Sequence, residues 1–502
     1  MSKRLLTVLG GSDYLVTYDF TVDVGDTFNR TNASVLGDTD GGLIDGVSGG
    51  SGITWIDQVG TWRIVSNRAS ASAVVSLTAI ATVETNKVDG VICASIVNAG
   101  SFGITARYVD ANNYIKCYIA SNTVNIVEIV ESSTKVLMNK AATYVEGAEL
   151  VIRMDGLRLS LEYNGVYYGF VTVNAAFATS TLHGLWTNGA ASTWSADSWH
   201  FISLPAYQST QRPSIVKVIE GEYLVTHAVR GDATRCVEYE LYQEKAVLAG
   251  YAFTSNVRHI MGQNLVTIAT GAKTVLSNGV GWESAGLIGA EADAQGDYGY
   301  FGSVHQSEQL VSIGFTLRKH VTILRWKRYY LSNIQITQNI NTVYPKDKAT
   351  IIGTTILTHS FGTDLLTVSK SYTYETGYKI YGQYGAMYPI LNPSMDTYKV
   401  GDNDAALMVL DGNAKNLNTE TAILKAWLST GDFTVNLFLP TGYPSSENNW
   451  TKSGGYKAWF KDNADGNVKF YVNFVSTNFT DVVAAVNSSH IFQYFVDNGI
   501  PA

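Results

Sequence analysis

The run "ELVIRMDGLRLSLEYNGVYYGFVTV", residues 149 to 173, constrains this chain more than any other, because apolar and polar residues alternate along it and Asp-Gly and Asn-Gly pairs interrupt it. A period of two matches the pleat of a strand, whose successive side chains point to opposite faces. Asp155-Gly156 and Asn164-Gly165 supply the positive φ angles of two-residue type I′ turns, so three antiparallel strands are expected. Leu157, Leu159, Leu161 and Tyr163 are expected to face a core, and Arg158, Ser160 and Glu162 to face water.

The same pattern recurs in "NYIKCYIAS" (113 to 121), where Ile115, Cys117 and Ile119 share a face. The next run, "TVNIVEIVE" (123 to 131), is nearly apolar on both faces and reads as a strand covered on both sides. Composition agrees: 46% of residues are apolar and only 16% charged, with 46 Gly and 30 Tyr, which favours sheets and tight turns over solvated helices. One segment departs. "NTETAILKAWLST" sets Ile423, Leu424 and Trp427 on one helical face behind a Thr/Glu-rich start, and a helix is expected there. The expected class is all-β.

Several functions are disfavoured. The net charge is −8 with acids and bases mixed, so there is no basic footprint for nucleic acid. No uncharged apolar stretch reaches the ~18 residues of a membrane span, and the apolar run near the start is too short for a signal-peptide core, so neither membrane insertion nor export is expected. Cys93, Cys117 and Cys236 have no metal spacing and read as small buried apolar residues. The eight histidines are scattered without a zinc motif, and neither a nucleophile elbow nor a phosphate-binding loop occurs. No cofactor, metal or catalytic residue is therefore assigned. The stretch from 281 to 308 holds Glu283, Glu291, Asp293, Asp297 and His305, enough for a carboxylate pair or a lyase base, but a solvated loop is the simpler reading.

Aromatic clusters argue better for binding, since sugar rings stack on Trp and Tyr at small entropic cost. Those beside Gly, Asn and Ser fall in loops at sandwich ends. The candidate glycan-contacting residues are Trp186, Trp194, Tyr298, Tyr300, Tyr443, Trp450 and Tyr456.

Residues 26 to 71 carry Asp26, Phe28 and Arg30, then Leu36-Gly37, Trp55, and "GTWRIVSNRASA" with Gly60, Trp62, Ile64 and Asn67. This pattern resembles the opening of concanavalin A-like, or laminin G-like, jelly-roll modules, which are frequent in bacteriophage tail and fibre proteins and in bacterial surface proteins. The resemblance implies a sandwich running to "WSADSWHFISL" at residue 204, with Phe28, Trp62 and Ile64 on one inner face. A structural calcium between Asp26 and Asp197 is doubtful, because the closing strand lacks the paired acids often found there.

A Pro-containing break, "SLPAYQSTQRPS", follows. The expected organisation is an N-terminal arm or hairpin over 1–25, the jelly roll over 26–204, a linker over 205–214, and a large β-sandwich region over 215–502, of one or two lobes with a break near 400. The resemblance implies a structural virion protein of tail, fibre or head appendage, found in the virion, homo-oligomeric, and partnered by other virion proteins and a host-surface glycan. The alternatives are a glycoside hydrolase or polysaccharide lyase, and a bacterial surface lectin.

Overall fold

The computed structural model describes residues 5–8, 14–19, 22–40, 52–97, 100–120, 122–189, 195–203, 212–243, 256–281, 283–290, 299–302, 308–316, 323, 325, 327–347, 349–375, 378–391, 396–400, 408–409, 415–417, 423–438, 458–462, 467–475 and 488–500. Among these the chain is all-β; the only helical turn is a 3-10 helix, Ala175–Phe177, capped by the Asn174 side chain on the Ala176 N–H.

Two antiparallel sheets built from residues 22 to 202 face one another. The front sheet runs, in order, Ser133–Ala141, Thr123–Val130, Asn113–Ala120, Phe102–Asp110, Leu182–Thr187, Ala79–Glu84 and Ile56–Val59. The back sheet runs Val166–Thr172, Arg158–Tyr163, Glu149–Asp155, Gly90–Val97, Ser195–Ile202, Ala69–Ala73 and Thr61–Ile64, with Val22–Asp26 also paired to Ser195–Ile202. Alternation sends one face of each strand inward: Ile115, Cys117 and Ile119 from the front meet Leu150, Ile152, Leu159 and Leu161 from the back. Phe28, Trp62 and Ile64 fill the same interior, as the resemblance implies. Cys93, Cys117 and Cys236 are all buried.

Asp26 explains why its motif needs an acid. Its carboxylate is fully buried and accepts from the Phe28 N–H (2.7 Å), both terminal nitrogens of Arg30 (2.6 and 2.8 Å) and Trp55 Nε1 (2.7 Å). Four donors on two oxygens make it a corner clamp, and Asp197 stands apart, half exposed against Arg68 at 3.4 Å.

The Asn164-Gly165 turn has positive φ at both residues (50° and 71°), as a type I′ turn demands. The Asp155-Gly156 turn is displaced by one residue. Asp155 pairs with Arg158, so Gly156 and Leu157 form the loop, and of the Asp-Gly pair only Gly156 takes positive φ (56°).

Three further sheets follow. An eight-stranded sheet runs Leu5–Val8, Tyr14–Asp19, Lys327–Tyr330, Ser214–Ile219, Glu222–Val229, Asp232–Gln243, Arg258–Thr267 and Lys273–Gly281. The hairpins 5–19 and 214–229, which share the tetrapeptide Tyr-Leu-Val-Thr, thus flank the strand 327–330. A nine-stranded sheet joins Glu308–Thr316, Ile334–Val343, Ile351–Phe361, Leu366–Tyr374, Ser488–Asn498, Phe433–Phe438, Ile423–Trp427, Thr397–Val400 and Met408–Val409. A six-stranded sheet holds Gly299–Gly302, Glu283–Ala290, Tyr378–Leu391, Asn467–Val475, Ala458–Asp462 and Lys415–Leu417. One core draws on the eight- and nine-stranded sheets, with Tyr239 packed on Phe361 and Tyr494.

The expected helix at Ile423, Leu424 and Trp427 is a strand. Residues 423–427 pair with Thr397–Val400 and Phe433–Phe438, and Leu424 and Ala426 enter the core two residues apart. A short apolar run suits either period, and here the neighbouring strands decide it.

A second correction carries more weight. Arg158, Ser160 and Glu162 do not face water: Ser160 and Glu162 are 1% exposed, because the outer face of the back sheet packs on the eight-stranded sheet. Val91, Cys93, Val151, Tyr167 and Ile202 meet Val216, Val218, Ile219 and Leu224 there. Glu222 reaches into the seam and accepts from Arg153 (3.2 Å), Arg158 (2.8 Å), Ser160 Oγ (2.6 Å) and Tyr167 Oη (2.8 Å). Arg158 also holds Glu240 at 2.6 Å and lies over the Tyr242 ring, and Lys273 bridges Asp155 and Glu238. Arg325 closes the far side against Glu149 and Glu162. Burial pushes the Glu222 carboxyl up, but Arg158 and Arg153 outweigh it and hold it below its ordinary value.

Two outcomes follow for stability. Glu222→Ala takes a shared acceptor from Arg153, Arg158, Ser160 and Tyr167, although Asp155 and Glu240 still hold the two guanidinium groups, so urea unfolding of the full chain should lose about 1–3 kcal/mol; a change within about 0.5 kcal/mol, the size usual for a surface site, contradicts the seam. His183 and His227 are buried and pushed down to about 4 by that burial. Unfolded, they titrate near ~6.5, so between those values the unfolded chain binds protons that the fold refuses. Stability should therefore fall as pH drops from about 6.5 to 4, by about 3 kcal/mol per histidine at the bottom of that window. Urea midpoints that do not differ between pH 7 and pH 4.5 contradict this.

Candidate functional site

Among the described residues no sheet packs on the front sheet's outer face, yet that face is not simply polar. On the strand Asn113–Ala120 the side chains opposite Ile115, Cys117 and Ile119 are Tyr114, Lys116 and Tyr118. Register sets Tyr114 beside Ile129, Lys116 beside Val127 and Tyr118 beside Asn125 on one neighbouring strand. On the other neighbour, Tyr118 lies beside Gly103, and Gly103 in turn beside Trp186. Ile80, Tyr108, Tyr114, Val127, Ile129 and Trp186 form a small second core on this face, which covers the apolar outer side of the 123–130 strand.

Gly103 is the hinge of the arrangement. The Tyr118 and Trp186 rings close over it to 4.8 Å between centroids, tilted by 39°. A Cβ at residue 103 would lie 2.1 Å from the Cys117 carbonyl oxygen and 2.8 Å from Tyr118 Cβ, so only glycine leaves room for that closure. The Leu182–Thr187 strand that carries Trp186 is held by His183, whose Nδ1 accepts from the Arg107 N–H (3.0 Å) while Nε2 lies 3.0 Å from the Lys87 carbonyl.

Above these rings is an open depression of about 420 Å³ lined by Tyr114, Lys116, Tyr118, Trp186, and hydroxyl and amide groups of Thr78, Ser101, Ser132, Thr134 and Asn188. Ser132 and Thr134 are exposed and Thr78 half-buried. The Lys116 ammonium sits 4.4 Å from the Trp186 ring centre and 5.7 Å from that of Tyr118. Burial lowers its pKa. Burial pushes the Tyr114 hydroxyl up. Asn188 Oδ1 is buried, and among the described residues nothing donates to it. The described lining holds no Asp, Glu, His or Cys.

Of the residues the sequence points to, Trp186 is here, although 2% exposed and roofed by Lys116 and Tyr118 rather than bare. It lies on a sheet face, not on an end loop. Tyr300 belongs to the strand Gly299–Gly302, paired with Leu287 in the six-stranded sheet, so its backbone is not in this depression. Trp194, Tyr298, Tyr443, Trp450 and Tyr456 lie outside the described residues, as do Glu291, Asp293, Asp297 and His305; Glu283 begins the strand Glu283–Ala290. Sequence reasoning missed Tyr114, Lys116, Tyr118 and Gly103. The signal was present in "NYIKCYIAS": once one face is assigned inward, the other reads Tyr, Lys, Tyr.

A separate group, Cys93, Glu149 and His200, brings three metal-capable atoms within 4.8 Å of one another in the seam, but Arg325 pairs with Glu149 there and its charge disfavours a cation.

No family model and no curated protein matches the chain. Similar solved structures include the carbohydrate-binding module CBM66 from Bacillus subtilis, at 13% identity and TM-score 0.23, covering 30% of this chain and 93% of that one. A protein in glycosyl hydrolase family 38 from Enterococcus faecalis matches at 8% and 0.29, covering 82% of this chain and 45% of its own, so this chain spans less than half its length. A GlcNAcα1-4Gal-releasing endo-β-galactosidase from Clostridium perfringens matches at 7% and 0.25, covering 58% and 90%. Similarities of this size transfer neither ligand nor activity.

Gly103→Ala should cost about 1–3 kcal/mol in urea unfolding through overpacking, and should alter the near-ultraviolet circular dichroism of the Tyr118–Trp186 pair. An unchanged spectrum with unchanged stability contradicts the closure over glycine.

Proposed function

We propose that this chain is a non-catalytic glycan-binding protein that holds sugar in the front-face depression. The observation that carries the reading is the half-buried Tyr118 ring, backed by the buried Trp186 and set beneath a rim of hydroxyl groups beside a buried acceptor, Asn188 Oδ1, to which nothing among the described residues donates. Sugars present apolar C–H faces together with hydroxyl donors, which is the complement of such a surface. An unpaired buried acceptor costs about 1–3 kcal/mol, and a sugar hydroxyl would relieve that cost. Glycoside hydrolysis asks for two carboxylates across the scissile bond, and the described lining offers none, which favours binding over cleavage at this place.

The biological setting we propose is the bacteriophage virion, as a tail, fibre or head-appendage component that attaches to host-surface glycan. Its support is the resemblance of residues 26 to 71 to jelly-roll modules of such proteins. Immunogold labelling of virions tests the setting; label on bacterial envelopes instead would favour a surface lectin.

A glycan array screened with the full chain tests the binding. It should return a saccharide whose affinity falls about tenfold or more in Tyr118→Ala, the loss expected for one stacked aromatic contact. A blank array, or a ligand indifferent to Tyr118→Ala, contradicts this reading.

A further inference from the structure

We propose that the depression selects saccharides bearing a negative group, carboxylate or sulfate, and that Lys116 reads that group. The inference rests on the glycan-binding reading above and adds its substrate class. Several buried cations of the described chain come with acids: Arg107 holds Asp89 at 2.7 Å, Arg153 and Arg158 hold Glu222, and Lys273 holds Asp155 and Glu238. Lys116 is half-buried, and among the described residues no carboxylate pairs with it. The acids on the neighbouring strands are engaged elsewhere. Asp110 accepts from the Asn112 N–H and Asn113 Nδ2, and Glu128 takes Lys135 and the Asn174 N–H.

The position of the ammonium gives the missing partner a place. The ring faces of Trp186 and Tyr118 attract it from one side and fix it at the depression wall. An ammonium has three donors and ring faces satisfy none of them fully, so its N–H groups remain for an anionic oxygen of a sugar seated against Tyr118. Hydroxyl groups at Thr78, Ser101 and Thr134 are there to take the neutral remainder. The chain carries a net charge of −8, so attraction of an acidic sugar has to come from a local cation and not from the overall field.

The test is isothermal titration of the full chain with three probes of equal length: oligogalacturonate, its methyl-esterified neutral form, and a sulfated galacto-oligosaccharide. One of the two acidic probes should bind about tenfold or more tighter than the neutral one, the worth of one charge-assisted hydrogen bond. That margin should shrink as salt rises. Which acidic probe wins identifies carboxylate or sulfate as the group. Lys116→Met should bring the acidic-to-neutral affinity ratio close to one, while Lys116→Arg should keep it above one.

A wild-type ratio at or below one overturns the proposal without use of any variant, and so does a ratio that survives Lys116→Met. If none of the three probes binds while the array yields a neutral ligand sensitive to Tyr118→Ala, selection of anions is wrong and sugar binding stands. A blank array removes both.

Discussion

The seam around Glu222 is the constraint on which the rest of the molecule depends. It buries the outer face of the back sheet against the eight-stranded sheet, with six apolar residues from the first sandwich meeting four from the second region. Charges taken into such a seam cost several kcal/mol each unless they are paired and hydrogen-bonded, so the value of the network is positional more than energetic. Glu222 accepts four donors from three strands of the back sheet, and that set is satisfied only in one register and one relative placement. A slip of one residue would turn Arg158 and Ser160 to the inner face and strand the glutamate.

With the back sheet covered, the front sheet supplies the free face of the first sandwich. On the proposed reading that face meets two demands: the apolar outer side of the 123–130 strand needs cover, and a ligand surface needs access. The small second core of Ile80, Tyr108, Tyr114, Val127, Ile129 and Trp186 meets the first demand, and the half-buried Lys116 and Tyr118 at its edge meet the second. Gly103 links them, because an absent side chain between two aromatic rings lets them converge over the backbone. The result is a firm floor built on strands, which hold side chains more precisely than loops do.

Much of this was legible in the sequence where a local rule acts alone. Asn164-Gly165 makes the turn its φ preference dictates, and the alternation of Leu159, Leu161 and Tyr163 puts them in the core; the Asp26 clamp was not read, since Trp55 joins it from 29 residues away. Failures occur where a distant partner decides. Leu424 and Trp427 fit a helical face equally well until two neighbouring strands claim them. Arg158 and Glu162 look solvated because polarity marks water or a charged partner alike, and the partners, Glu222 and Arg325, lie 64 and 163 residues away. For the site, Trp186 was visible as an aromatic beside Asn and Gly. Lys116 and Tyr118 were not, since their meaning comes from registers that place them around Gly103 and Trp186.

Hydrogen–deuterium exchange of the full chain, with and without the tighter-binding of the two acidic saccharides, oligogalacturonate or the sulfated galacto-oligosaccharide, tests the account most directly. Added saccharide should slow exchange in peptides spanning 113–120, 132–134 and 182–188 on the front face, and leave 149–163 and 214–229 in the seam as they were. Protection confined to the second region, or spread through the seam with the front face unchanged, would contradict it.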